Sequence, residues 1–178
     1  MKIKQKLRNE MKKERKYSDL GYLDENILSQ LKFTSLYISA YSLMIYYPIQ
    51  KEINLLPLLE DKSKQIFFPK ISGDEIVPLK YNGEFCLGKY NIKEPLNADI
   101  GDIDKLDLVV VPALCVDLNG YRIGYGKGYY DRFIKKLNRK RTKLVVVAYE
   151  QFVVDDICPD SFDEKVDFII TEKRVIEL

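Results

Sequence analysis

Histidine is absent from all 178 residues, and so is tryptophan. The missing imidazole removes every Ser-His-Asp or Cys-His nucleophile, the HExxH metalloprotease site and any His-ligated zinc. Chemistry in this chain must run on carboxylates, Lys, Arg, Tyr, backbone amides or a borrowed cation. Cysteine is scarce as well. Cys86, Cys115 and Cys158 are odd in number, far apart and form no CxxC. That excludes a disulfide framework and a zinc knuckle, and points to a reducing, cytoplasmic setting. Cys115 lies in an apolar run and reads as a small core residue. Long apolar runs are also lacking. Leu108 to Val116 is too short to span a bilayer and is broken by Pro112. The opening MKIKQKLRNEMKKERK has no apolar stretch of the kind a signal peptide needs. Neither sign of charge dominates: 29 Lys+Arg against 27 Asp+Glu leaves a net +2, which implies no basic field for wrapping nucleic acid.

What is present suits a globular protein. Hydrophobic residues make up 46% and charged residues 31%, which argues against disorder. The length fits one domain spanning 1–178, long enough to bury a full core without a disulfide or metal staple.

Along the chain, Lys2 to Lys16 reads as a basic helix, with Ile3, Leu7 and Met11 on a narrow apolar stripe and Lys4, Arg8 and Arg15 on a neighbouring one. Ser18 is expected to cap a second helix carrying Leu20, Leu23, Ile27 and Leu31. Leu36 to Tyr47 is rich in aromatic and β-branched residues and is expected to contain a strand, closed by Pro48. A third helix is expected from about Glu52, distorted by Pro57 or starting near Asn54. Gln65 to Phe68 and Glu75 to Tyr81 read as short strands. Asn82 to Asp104, with Gly83, Gly88, Pro95 and Gly101, reads as a long ordered loop. Asp107 to Val116 has the near-continuous apolar character of a strand buried on both faces, hence of a parallel sheet. A helix from Tyr129 to Leu137 and buried strands at Leu144 to Tyr149 and Val166 to Thr171 follow. The alternation predicts an α/β fold: a single three-layer domain with a mostly parallel central sheet flanked by helices.

The most informative segment is Gly120-Tyr-Arg-Ile-Gly-Tyr-Gly-Lys-Gly-Tyr-Tyr-Asp131. Gly124, Gly126 and Gly128 let the backbone turn sharply and let amide N–H groups converge on an anion. The segment follows a strand and opens a helix, whose N-terminus adds partial positive charge. Arg122 and Lys127 add full charges, and together these make a phosphate site. It is not a Walker loop, because Tyr121 stands where that motif needs glycine and Gly128 where it needs Ser or Thr. Nor is it the dinucleotide fingerprint, because the third glycine comes one residue early. Asp131, just beyond, suits Mg²⁺ beside phosphates, and equally a helix-dipole partner. Asp167, in Asp163-Glu-Lys-Val-Asp167, could supply a second carboxylate or be a strand-start residue.

The block LDLVVVPALCVDLNGYRIGYGKGYYDRF closely resembles the signature of the 5-formyltetrahydrofolate cyclo-ligase family. The resemblance extends to Lys4-x-x-x-Arg8, to Ile49-Gln-Lys-Glu52-Ile53 and to Asp163-x-x-x-Asp167-x-Ile169-Ile170-Thr171-Glu172. It implies an enzyme that uses Mg-ATP to convert 5-formyltetrahydrofolate to 5,10-methenyltetrahydrofolate, ADP and phosphate. It implies ATP binding by Lys4, Arg8 and the stretch Arg122, Ile123, Gly124, Tyr125, Gly126, Lys127, Gly128, Tyr129 and Tyr130. Mg²⁺ would be held by Asp131 and Asp167. Glu52 would contact the pterin, with Tyr47, Tyr125, Gly126, Lys127, Gly128 and Tyr129 near the folate, and Lys127 and Tyr129 closest to the chemistry. Many bacterial relatives carry His where this chain has Phe162. The implied partners are reduced folate and ATP, with no nucleic acid, no membrane and a monomeric state. Two alternatives stand beside this: a nucleic-acid-binding module using the basic clusters, and an ATP-independent sugar-phosphate isomerase or CoA-transferase-like enzyme of the same architecture.

Overall fold

The computed structural model describes residues 2–178. Its centre is a seven-stranded sheet. Five strands run parallel: β1 (Ser42–Met44), β2 (Gln65–Ser72), β6 (Leu108–Val110), β9 (Lys143–Val147) and β11 (Phe168–Ile170). They lie in the order β11-β9-β6-β1-β2. The edges are antiparallel: β3 (Glu75–Lys80) against β2, and β12 (Val175–Glu177) against β11. Two smaller sheets flank this one. β4 (Phe85–Leu87) and β5 (Lys93–Pro95) form a hairpin, while β7 (Cys115–Asp117) lies between β8 (Arg122–Ile123) and β10 (Val153–Val154).

The central strands are buried on both faces because alternate side chains enter separate cores. Leu43, Leu108, Val110, Val145, Val147 and Ile170 face one core. Met44, Val109, Leu144, Val146 and Ile169 face the other. Helix α1 (Lys2–Tyr17) adds Met11 to the first core, and α2 (Asp24–Phe33) adds Ile27, Leu28 and Leu31. Helix α4 (Tyr129–Lys136) covers the second with Phe133 and Ile134. The mostly parallel sheet with helices on both faces matches the α/β expectation.

Local expectations fared unevenly. Ser18 caps no helix. Its hydroxyl donates to the Arg15 carbonyl, and α2 begins only at Asp24, after a 3-10 turn at Gly21–Leu23. The strand expected within Leu36 to Tyr47 is Ser42–Met44; before it, Ser35–Ser39 forms the short helix α3, capped by the Thr34 hydroxyl accepting from Tyr37 N. The helix expected from Glu52 is reduced to a 3-10 turn at Leu56–Glu60, because Pro57 lacks the N–H a longer helix would use. Leu108 to Val116 is divided at Pro112 between β6 and β7, which belong to different sheets. The stretch from Asn82 to Asp104 contains the β4–β5 hairpin rather than loop alone.

Candidate active site

A cleft of about 670 Å³ opens beyond the carboxyl ends of the parallel strands. That is where open α/β sheets place ligands, and the volume lies within the roughly 300–1,000 Å³ of small-molecule sites. Residues following β1 and β6, the far half of β2, the glycine-rich segment, α1 and the β4–β5 hairpin all contribute to its walls.

The glycine-rich segment is built as the sequence suggests. Gly126 has φ +98° and Gly128 φ +67°, the left-handed region that glycine adopts freely. Gly128 is the residue before α4 and has no side-chain cap, so the first amides of that helix stay available on the cleft side. Lys127, exposed between them, lines the cleft. Ile123 differs from its neighbours: its side chain is in the core, so only its backbone can serve the site.

Arg122 is the most enclosed cation here, its side chain only 4% exposed. It donates to Asp131 Oδ1 at 3.0 Å and to the Glu164 carbonyl at 2.9 Å. The same Asp131 oxygen accepts from Glu164 N at 3.3 Å. Arg122 therefore acts through Asp131, fixing a carboxylate at the cleft wall beside the glycine loop.

Helix α1 supplies two further cations. Arg8 Nε donates to the Gly124 carbonyl at 2.9 Å, which docks the helix directly on the loop. Lys4 Nζ pairs with Asp160 at 2.9 Å and also with Asp163. Partial burial works against the Lys4 charge, but the bonds to Asp163 and Asp160 outweigh it and raise its pKa. Phe162 lies 5.7 Å below that ammonium.

On the other side, Glu52 is buried. Its Oε2 accepts from Ile49 N at 3.0 Å and its Oε1 from the Tyr125 hydroxyl at 3.1 Å. Burial raises its pKa above the ordinary value, with the Ile49 amide, the Arg15 charge and Tyr125 opposing. Burial also pushes the Tyr125 hydroxyl up, helped by the Glu52 charge. Tyr47 packs edge-on to Phe85 at 5.3 Å within an aromatic cluster. Tyr129 and Tyr90 share a hydroxyl contact of 3.3 Å. The Tyr130 hydroxyl is buried without a partner among the described residues.

Asp167 stands elsewhere. It precedes β11 at the opposite end of the sheet, where its carboxylate accepts from Leu144 N at 2.7 Å and pairs with Arg139 at 2.7 Å. The structure brings Asp131 to the cleft and leaves Asp167 out of its walls. No group of three potential metal-ligating side chains is found among the described residues. Sequence reasoning also overlooked residues that do line the cleft. Lys89, Tyr90, Ile92 and Glu94 arrive on the hairpin, and Asp160 on the segment before β11, beside the already noted Phe162.

A concave cleft, a tight glycine-rich loop in its wall and a buried carboxylate bonded to that loop are the makings of an α/β enzyme of small-molecule chemistry. The comparisons with known proteins make that specific. The profile of the 5-formyltetrahydrofolate cyclo-ligase family matches residues 1–172. The chain belongs to the 5-formyltetrahydrofolate cyclo-ligase family. It is 24% identical to the Escherichia coli 5-formyltetrahydrofolate cyclo-ligase, covering 79% of this chain and 82% of that one. The mouse 5-formyltetrahydrofolate cyclo-ligase is 28% identical over 76% of this chain and 75% of its own. The solved structure of Aquifex aeolicus 5,10-methenyltetrahydrofolate synthetase superposes with a TM-score of 0.88 at 31% identity, covering 98% of this chain and 92% of that one. No helix among the described residues is long and apolar enough to cross a membrane.

Proposed function

We propose that this chain converts 5-formyltetrahydrofolate to 5,10-methenyltetrahydrofolate, consuming ATP and releasing ADP and phosphate. The observation that carries the reading is the glycine-rich loop, with Gly126 and Gly128 at positive φ and Arg8 docked on Gly124, in the wall of the same cleft as Glu52. One wall suits phosphates and the other a polar heterocycle. Family membership displaces the nucleic-acid and isomerase alternatives.

The chemistry needs activation because an amide-like formyl oxygen is a poor leaving group. The formyl oxygen attacks the γ-phosphorus of ATP, forming a P–O bond as the bond to ADP breaks. N10 then attacks the activated carbon and loses its proton, and phosphate departs with its oxygen. Phosphoryl transfer asks a protein mainly for positioning and charge stabilisation, which a site without histidine can supply. The loop amides would cradle the phosphates, with Lys4 and Arg8 contributing from α1. Lys127, exposed at the cleft, would meet the transferred group, with Tyr129 beside it. Glu52, held by Tyr125 and the Ile49 amide, would orient the pterin near Tyr47.

Magnesium accompanies ATP in such chemistry and typically takes one or two carboxylates together with phosphate oxygens. Asp131 fits that role: it is fixed by Arg122 in the cleft wall, next to the loop. Asp167 does not fit, because both its oxygens are engaged at the far end of the sheet. When bound, the ion would neutralise phosphate charge beside Asp131.

The test is spectroscopic. Mixing the protein with Mg-ATP and 5-formyltetrahydrofolate should develop the absorbance of the conjugated amidinium product. Turnover without ATP, or no absorbance change with it, would reject the reading.

A further inference from the structure

The β4–β5 hairpin carries a carboxylate for which the fold has no internal use. Glu94 is 7% exposed and lines the cleft. Both oxygens of Glu52 already accept from protein donors. By contrast, none of the side-chain hydrogen bonds or ion pairs found among the described residues involves Glu94. The Glu94 oxygens are not among the buried polar atoms left without a partner, so they reach solvent in the cleft and can accept from a ligand there.

Its seat is shaped for it. A Cβ at Gly88 would come within 2.2 Å of Glu94 Cδ and 2.4 Å of its Oε1, so the side chain lies against the bare backbone of Gly88. In the hairpin, Glu94 is paired in register with Cys86, and the next pair, Phe85 with Pro95, turns to the other face; the rings that line the cleft together with Glu94 include Tyr47, Tyr90 and Tyr129. An unpaired carboxylate beside apolar rings suits a flat heterocycle with adjacent N–H donors on one edge. The 2-amino-4-oxopyrimidine ring of a reduced folate presents such an edge: its 2-amino group next to N3–H. A carboxylate can accept both in a charge-assisted pair.

We infer that Glu94 reads the 2-amino/N3–H edge of the pterin, making the hairpin the specificity element for that ring. The inference rests on the folate reading above. It leaves Glu52 for the part of the pterin nearer the glycine loop, since Glu52 is bonded to Tyr125 of that loop.

The experiment compares wild type with Glu94→Gln, which keeps the shape but removes the charge and offers a donor to a donor. Binding of 5-formyltetrahydrofolate and of its 2-desamino analogue is measured calorimetrically without ATP, beside the Michaelis constants and a thermal melt. Binding of the natural ring should weaken roughly 10–100-fold in the variant, as expected for loss of hydrogen bonds to a charged group. The Michaelis constant for ATP should stay within about twofold of wild type, as expected if the variant leaves the phosphate wall untouched. Wild-type preference for the natural ring over the analogue should largely vanish. A folded variant that retains the wild-type preference overturns the assignment, as does an equal loss toward ATP. If wild type binds the folate but never closes the ring, the proposed reaction fails while the binding ratio still decides the role of Glu94.

Discussion

Replacing Gly126 with alanine puts a methyl group on a backbone with φ +98°, where it would stand 3.1 Å from Arg8 Cζ. A side chain in left-handed backbone costs about 1–2 kcal/mol. For a chain of this length each kcal/mol lowers the melting temperature by about 2–4 °C, so Gly126→Ala should melt about 2–8 °C lower. The second consequence is local. The guanidinium must yield by a few tenths of an ångström, and its bond to the Gly124 carbonyl holds α1 on the loop. Affinity for a non-hydrolysable ATP analogue should then fall by at least about tenfold, the effect of losing one net hydrogen bond of about 1.4 kcal/mol. Gly124→Ala is the internal control for stability. Nothing lies within 4 Å of a Cβ there and its φ is not in the left-handed region, so its melting temperature should stay within about 2 °C of wild type. Melts without ligand and calorimetric titration with the analogue read the two effects separately. Equal melting of Gly126→Ala and Gly124→Ala would refute the conformational argument. A folded Gly126→Ala protein with wild-type affinity would mean that the phosphates do not sit on this loop.

Asp131→Asn removes the anionic partner of Arg122 while the Glu164 carbonyl contact remains. A loss of about 1–3 kcal/mol is expected, together with turnover that excess Mg²⁺ partly restores. Destabilisation with an unchanged Mg²⁺ titration would leave Asp131 a purely structural role. Asp167→Asn should lower the melting temperature by loosening Arg139 and Leu144 yet leave the Michaelis constant for ATP untouched; a changed Mg²⁺ requirement would contradict its exclusion from the cleft. Burial raises the Glu52 pKa above 4.5, so its ionisation opposes folding. Its stability contribution is complete below the unfolded value and is lost as pH rises through the folded one. Relative to Glu52→Gln, wild type should therefore lose stability as pH climbs above about 4.5, in denaturant melts run in parallel. A difference that is flat across that window would count against the buried, reluctant carboxylate.

The parallel sheet and the tight glycine-rich turn were legible because each has a local signal. Val109, Val110, Val145 and Val146 carry no polar alternation, which only a strand buried on both faces tolerates. Gly126 and Gly128 needed a backbone that other residues resist. The hairpin was hidden because its strands have three residues each, too short for a period to appear, and the glycines and proline around them read as loop. Ser18 misled because capping chemistry is only one use of a serine hydroxyl. Asp24 and Glu25 supply the acidic first turn of α2 instead. Asp167 and Asp131 look alike in sequence as aspartates beside apolar elements. Only the register of β11 shows that one is at the amino end of the sheet and the other at the cleft.

The docking of α1 has a consequence for biosynthesis. Its contacts are among the most distant in the chain: Arg8 meets Gly124, and Lys4 meets Asp160 and Asp163. The helix has 16 residues, a length at which an isolated helix is marginal in water. During synthesis its tertiary hydrogen-bond partners follow only 98 to 159 residues later in the chain, about several seconds or more at typical elongation rates. The wall of the cleft that α1 shares with the glycine-rich loop is thus completed only when this long-range docking occurs. In the finished protein the same arrangement makes α1 a separable clasp. Its amides should exchange with solvent ahead of the central strands, and bound nucleotide should slow that exchange selectively.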